Sequence, residues 1–176
     1  MDANSPDGQA LQSIRDEIIT LLPRLRRFAR SLTRDPADAD DLLQLTVERA
    51  LVKLEQWTPG TRLDSWMYRI MKNIWIDEIR ARTRRSAVFA PEEAGERVGV
   101  EDPDFERRLR AMSVEQAMET LPDEQRLAVS LVLVEGLSYR EAAEVMDVPM
   151  GTLTSRLARG RAALEARLNP QEGHGA

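Results

Sequence analysis

The sequence predicts an all-α protein: two small helical domains joined by a flexible acidic linker, the second domain containing a helix-turn-helix. Three observations carry that expectation. Ala, Leu, Arg and Glu dominate, aromatics make up only 5% of the chain, and those residue types favour helix. Apolar residues recur at helical spacing over long segments on either side of the middle. Between those segments, "APEEAGERVGVEDPD" carries Pro, Gly and acids without periodicity, the composition of a linker. The boundaries expected are 9–88 for the first domain, 89–105 for the linker and 106–170 for the second.

From Gln9 to Ser31 the stripe Leu11, Ile14, Ile18, Leu21, Leu22, Leu25, Phe28 and Leu32 predicts a first helix that Pro23 kinks or divides. A second helix starts at Asp35-Pro36 and runs to about Gln56, with Leu43, Val47, Ala50, Leu51 and Leu54 as its core side. "QWTPGT" has the Pro-Gly chemistry of a turn. A third helix spans Asp64 or Ser65 to about Arg84, with Met67, Ile70, Met71, Ile74 and Ile79 apolar. In the second block, Leu109, Met112, Ala117 and Leu121 mark one helix, and Pro122 opens the next, where its missing N–H costs nothing. "LAVSLVLV" fits a buried strand by periodicity, but its helical neighbours favour a helix ended by Gly136. "LSYREAAEVM" begins with a capping box, Ser138 as N-cap and Glu141 at the third helical position. "DVP" interrupts, and "MGTLTSRLARGRAALEARL" resumes as helix. Ala142 and Ala143 allow the two helices to approach closely, with Val145, Val148, Leu153 and Leu157 between them.

Composition narrows the function classes. With no cysteine, disulfides, zinc–thiolate centres and cysteine nucleophiles are excluded. The one histidine, His174, lies in a polar tail, where a frayed terminus is the simplest assignment. No stretch approaches the ~18 apolar residues of a membrane span, and the acidic N-terminus lacks the apolar core of a signal peptide, so a cytoplasmic location is expected. The net charge is −5, yet the distribution says more than the total. Residues 62–85 carry seven Arg/Lys against three acids, residues 91–106 seven acids against one Arg, and residues 151–168 four Arg against one Glu. Two basic segments separated by an acidic one point toward nucleic acid.

Three constellations are candidates for function. The helix-turn-helix would set Thr152, Thr154, Ser155 and Arg156, with Arg159 one turn on, toward base edges; the bland alternative is a helical hairpin with a solvated arginine face. On the third helix, Trp66, Arg69, Asn73 and Arg80 share one side, with Lys72 and Arg84 nearby. Cations there would hold phosphates, and the flat side chain would replace lost base stacking. Periodicity alone is equally consistent with a core tryptophan and solvated arginines, and the second basic block tips the balance toward nucleic acid. The third constellation is "RDPADADDLLQ", with aspartates at 35, 38, 40 and 41. Asp35 and Asp38 suit the positive end of a helix. Asp41, Gln44 and Glu48 form a polar strip beside the core stripe, a docking face for a basic partner. A Mg²⁺ site would require carboxylates converging from more than one element, and no second ordered acidic cluster is evident.

Taken together, these motifs resemble bacterial RNA polymerase sigma factors of the extracytoplasmic-function group. "DADDLLQ" is similar to the group's polymerase-docking motif in region 2, "RLDSWMYRIMKNIWIDEIR" to its −10-element segment, and "LPDEQRLAVSLVLVEGLSYREAAEVMDVPMGTLTSRLARGRAAL" to region 4. The resemblance covers residues ~20 to 168. It implies that Asp38, Asp41, Leu42 and Gln44 dock on the β′ clamp helices of core RNA polymerase, with the β flap as a further contact. It implies that Trp66, Arg69, Lys72, Asn73 and Arg80 serve the opened −10 element, and that the loop from Gln56 to Asp64 helps form a pocket for a flipped base. Thr154, Ser155 and Arg159 would face the −35 duplex beside Thr152, with Arg156 near phosphate, and the acidic linker would thread toward the polymerase channels. Thr154 departs from the group pattern, in which Arg or Lys is common, and a Thr contact is shorter and less specific than bidentate Arg on guanine. Ala158 is also small for the group. The resemblance calls for no cofactor, metal or catalytic residue in this chain, because phosphodiester chemistry belongs to the polymerase. Expected partners are core polymerase, promoter DNA and an anti-sigma factor, without membrane insertion, and the free chain is expected to be a monomer. The rival functions are a helix-turn-helix regulator acting without polymerase and a metal-dependent nuclease using Asp38, Asp40 and Asp41.

Overall fold

Helix α1, Pro6–Leu32, is continuous, with Pro23 inside it rather than dividing it. The computed structural model describes residues 6–86 and 114–169; the expected linker, together with Leu109 and Met112, lies outside them. α1 buries Ile18, Leu25, Phe28, Ala29 and Leu32, the helical stripe expected of it. Helix α2, Pro36–Val52, is capped by Asp35, whose Oδ1 accepts from the Ala37 N–H at 2.7 Å. Pro36 occupies the first turn, where no N–H is needed. A short 3₁₀ turn, Leu54–Gln56, follows. Gly60 takes φ +85° in the turn before helix α3, Leu63–Ser86.

The core side of α2 differs from the expectation by one position. Ala39, Leu42, Thr46 and Ala50 are buried, whereas Leu43 and Val47 are half-buried and Leu51 is exposed. The buried polar residue is what hides this stripe: Thr46 lies fully inside and satisfies its hydroxyl on the Leu42 carbonyl at 2.7 Å. α3 is enclosed around most of its circumference, burying Met67, Tyr68, Ile70, Met71, Ile74 and Trp75, because it packs on α1, α2 and the second half of the chain.

The second half comprises α4 (helical over 114–119), α5 (Asp123–Val129), α6 (Tyr139–Met146) and α7 (Met150–Leu168). Between α5 and α6 the backbone widens into a π-turn, Ser130–Val134, closed by the Glu135 N–H on the Ser130 carbonyl at 3.0 Å. Gly136, at φ +72°, ends it, so "LAVSLVLV" is helical. The capping box is complete at Ser138 and Glu141. Asp147 adopts a left-handed backbone, φ 57°, at the turn into α7, a conformation Asp tolerates better than most residues. Ala142, Ala143, Val145, Leu153 and Leu157 are buried between α6, α7 and their neighbours, the expected helix-turn-helix packing. Among the described residues there is no strand, and no helix is long and apolar enough to cross a membrane.

Gly160 marks a tight crossing of α7 over α5. A Cβ there would lie 2.7 Å from Val129 Cγ2 and 3.4 Å from the Gln125 carbonyl. Gly160→Ala is therefore expected to destabilise by ~1–3 kcal/mol through overpacking, despite alanine's better helix propensity. A denaturant midpoint at or above wild type would contradict that close contact.

The two halves pack on each other. α1 meets α5 and the π-turn, α3 meets α6, and buried side chains from both halves belong to one apolar cluster.

Candidate functional site

The aspartates of "RDPADADDLLQ" diverge. Asp35 caps α2, Asp38 pairs with Arg82 of α3 at 3.3 Å, and Asp40 pairs with Arg26 of α1 at 3.1 Å. Asp41 is exposed. Carboxylates sent in different directions cannot close around one ion, and no group of three His, Cys, Asp or Glu able to hold a metal occurs among the described residues.

What α2 does present is a stripe. Asp41, Gln44, Leu45, Glu48 and Val52 are all exposed and follow helical spacing along one face. Gln44 donates to Glu48 at 2.9 Å. Leu45 is 42% exposed and Val52 84%, while Leu42 is 0% exposed. Leu42, expected on the docking surface, is thus a core residue: it sits on the α2 side that meets the buried stripe. Leu45, missed in the sequence, is the apolar residue of the surface strip, and its spacing of four from Asp41 was the available signal. Glu78 of α3 adds a further acid near Asp38 and Asp41. Burial raises the Glu78 pKa, Arg82 opposes that shift, and Asp38 and Asp41 reinforce it.

On α3, Arg69, Asn73 and Arg80 are exposed along one line with the half-buried Trp66, the arrangement expected. Arg80 lies 4.0 Å from Asp77. Lys72 is the exception: it is 7% exposed. Burial lowers its pKa, Asp147 works against that shift, and Arg69 adds to it. Trp75 is core.

Arg62, at the start of this edge, was not singled out by the sequence. It grips Asp64 through two bonds of 3.0 and 2.7 Å and also pairs with Glu141 of α6. Burial alone would raise the Asp64 pKa, but the Arg62 guanidinium and the Ser65 N–H hold it below its usual value, with help from Arg24. Ser138 holds Glu141 low as well, by side-chain and backbone hydrogen bonds, with Arg62 adding to the effect.

On α7, Thr154 and Arg159 are exposed and Thr152 and Ser155 half-buried. Arg159 donates to Ser155 Oγ at 2.6 Å, and Thr154 donates to the Met150 carbonyl at 2.9 Å. Arg156 instead pairs with Glu124 of α5 at 2.7 Å, which turns it toward the base of the helix-turn-helix. Glu135 was equally invisible in the sequence. Its carboxylate, with no exposed side-chain surface, accepts from Arg27 at 2.9 and 3.1 Å and from the Tyr68 hydroxyl at 2.6 Å. Burial and that carboxylate both push the Tyr68 pKa well above the ordinary phenol value.

The architecture has counterparts. The Sigma-70 region 2 family matches residues 18–85 and the Sigma-70 region 4 family residues 111–164. The ECF RNA polymerase sigma factor EcfG of Rhodopseudomonas palustris is 35% identical over 156 residues, covering 89% of this chain and 85% of its own. Among solved structures, the sigma factor RpoE in complex with the anti-sigma factor NepR from Bartonella quintana aligns at a TM-score of 0.74 with 28% identity, covering 92% of this chain and 99% of that one. CnrH in complex with the cytosolic domain of CnrY aligns at 0.67 with 25% identity, covering 93% and 95%. With both regions matched in order and a relative of this similarity aligned along most of its length, the chain belongs to the ECF sigma factors of the sigma-70 family.

Proposed function

We propose that the chain binds core RNA polymerase in the cytoplasm and directs promoter recognition, DNA melting and initiation, under control of an anti-sigma factor. It does so as a dissociable subunit rather than as an enzyme. The observation that carries this is the division of labour across one fold: an exposed acidic and apolar stripe on α2, a basic stripe with Trp66 on α3, and a helix-turn-helix presenting Thr154 and Arg159. Residues 9–88 form the half that docks on polymerase and engages the −10 element, 106–170 the half for the −35 duplex, and 89–105 the linker between them. Asp41, Gln44 and Leu45 contact the β′ clamp, with Asp38 beside them. Arg69, Asn73, Arg80 and Trp66 follow the opened strand, and Lys72 joins them once uncovered. Thr152, Thr154, Ser155 and Arg159 read the −35 duplex, and Arg156 braces α7 on α5 through Glu124. Anti-sigma control is supported by RpoE, which is similar to this chain and was solved in complex with the anti-sigma factor NepR.

Joining two weak DNA-binding halves in one chain raises their effective concentration, so each half alone should bind promoter poorly. The test is reconstitution. Core polymerase plus this chain is expected to yield promoter-specific transcripts from a promoter library, and core alone none. Absence of any chain-dependent transcript would overturn the function proposed.

A further inference from the structure

Two adjacent hydroxyls near the start of α7 are both engaged inside the helix. Thr154 donates to the Met150 carbonyl at 2.9 Å. Ser155 accepts from the Arg159 guanidinium at 2.6 Å. Each bond spans one turn of α7, and together they decide which groups are left to meet DNA.

A threonine hydroxyl has a single proton to donate. In the major groove, guanine O6 and N7, adenine N7 and thymine O4 all call for a donor. Thr154 can serve none of them without giving up its bond to Met150. That bond is the contact to the preceding turn by which threonine sets its χ1 in a helix, and it draws the oxygen in against the backbone. The methyl group takes another staggered position. Thr154 is exposed, and its neighbours on that side leave it uncovered. Ala158, one turn on, is exposed and ends at its own Cβ. One turn back, nothing lies within 4 Å of the place a Cβ would occupy on Gly151. The outer face of Thr154 is therefore apolar, and the apolar group that bases offer in the major groove is the C5-methyl of thymine. Arg159 is the opposite case. A guanidinium has five N–H donors; one is spent on Ser155, which fixes its direction, and the others remain for guanine O6 and N7.

We propose that Thr154 reads a thymine through its methyl group rather than its hydroxyl, so that the −35 element of this chain contains a methyl-dependent thymine as well as the guanine taken by Arg159. This rests on the assignment of α7 to the −35 duplex.

Uracil provides the test, because it lacks the thymine methyl and keeps every hydrogen-bonding group. Core polymerase with the full chain first selects an upstream block from promoters randomised in that region. Each thymine of the selected block, on either strand, is then replaced by uracil, and holoenzyme affinity is measured by competition. The comparison uses the wild type, Thr154→Ser, which keeps the hydroxyl and loses the methyl, and Thr154→Val, which keeps the methyl and loses the hydroxyl. Circular dichroism checks that both variants are as helical as the wild type. The expected result is a thymine at which uracil lowers wild-type affinity about fourfold, the worth of burying one methyl-sized group. Thr154→Val should retain that sensitivity, and Thr154→Ser should bind the thymine and uracil duplexes equally. Sensitivity kept by Thr154→Ser, or lost by Thr154→Val, overturns the methyl reading. A selected block without a methyl-sensitive thymine overturns it too, and leaves the −35 assignment standing. Failure to select any upstream block overturns the assignment itself, and the methyl reading with it.

Discussion

Arg126→Ala is expected to lower stability by about 3–5 kcal/mol, a large share of the ~5–15 kcal/mol that holds a domain folded. Arg126 is 4% exposed and, among the described residues, finds no carboxylate at its guanidinium. Its nitrogens are spent on carbonyls: Met118 at 3.0 Å, Glu119 at 2.7 Å and Leu121 at 3.1 Å, all at the end of α4 and the turn after it, and Leu32 at 3.0 Å, the last residue of α1. Helix ends leave carbonyls without intrahelical partners, and here one buried side chain supplies them for two helices. Burial pulls the Arg126 pKa down from its ordinary value, and Asp123 counters part of that. Truncation deletes the donors and leaves buried acceptors, each at a cost of ~1–3 kcal/mol when no water reaches it. Thermal melting should fall on the order of 10 °C. Arg126→Lys should recover only part, because an ammonium cannot span the same spread of acceptors. A loss under ~1 kcal/mol for the alanine variant would show that these acceptors are satisfied some other way.

The second large effect separates two neighbouring leucines. Leu42→Ala removes a fully enclosed side chain and should destabilise by about 2–5 kcal/mol. Leu45→Ala removes a solvent-facing one and should change stability by no more than about 0.5 kcal/mol. The order is expected to invert in a binding assay. Leu45→Ala combined with Asp41→Ala and Gln44→Ala should weaken association with core polymerase by ~2 kcal/mol or more, about thirtyfold, as for a central interface cluster. Denaturant unfolding and competition for core polymerase measure the two effects on the same preparations. Unchanged polymerase affinity in a folded triple variant would mean that the stripe only solvates α2.

The contrast also shows where sequence patterns carried and where they stopped. Helix identity was legible throughout: the Asp35 cap, the Ser138–Glu141 box and the Gly136 stop all appear where the residue chemistry places them. Facing was less legible. On α2 a buried threonine and exposed Leu51 and Val52 reversed the usual hydropathy signal, which shifted the stripe by one residue and left unopposed the docking role that the resemblance implies for Leu42. On α3 the pattern blurred because neighbours surround it. Contacts across the two halves were not legible at all. Nothing near Glu135, Arg27 or Arg126 announces a partner 94 or 108 positions away, since such pairs are set by how two helical bodies meet rather than by local periodicity.

The π-turn before Gly136 determines the angle at which Glu135 leaves the helix. An α-helix advances ~100° per residue, and the wider turn between Ser130 and Val134 holds one residue more than an α-turn would. Wound as regular α-helix, the same residues would carry the carboxylate about a quarter turn further round, away from Arg27 and Tyr68. The segment therefore works as a phase adjuster, seating one residue more between α5 and Gly136 while Glu135 keeps its bearing on Arg27 and Tyr68.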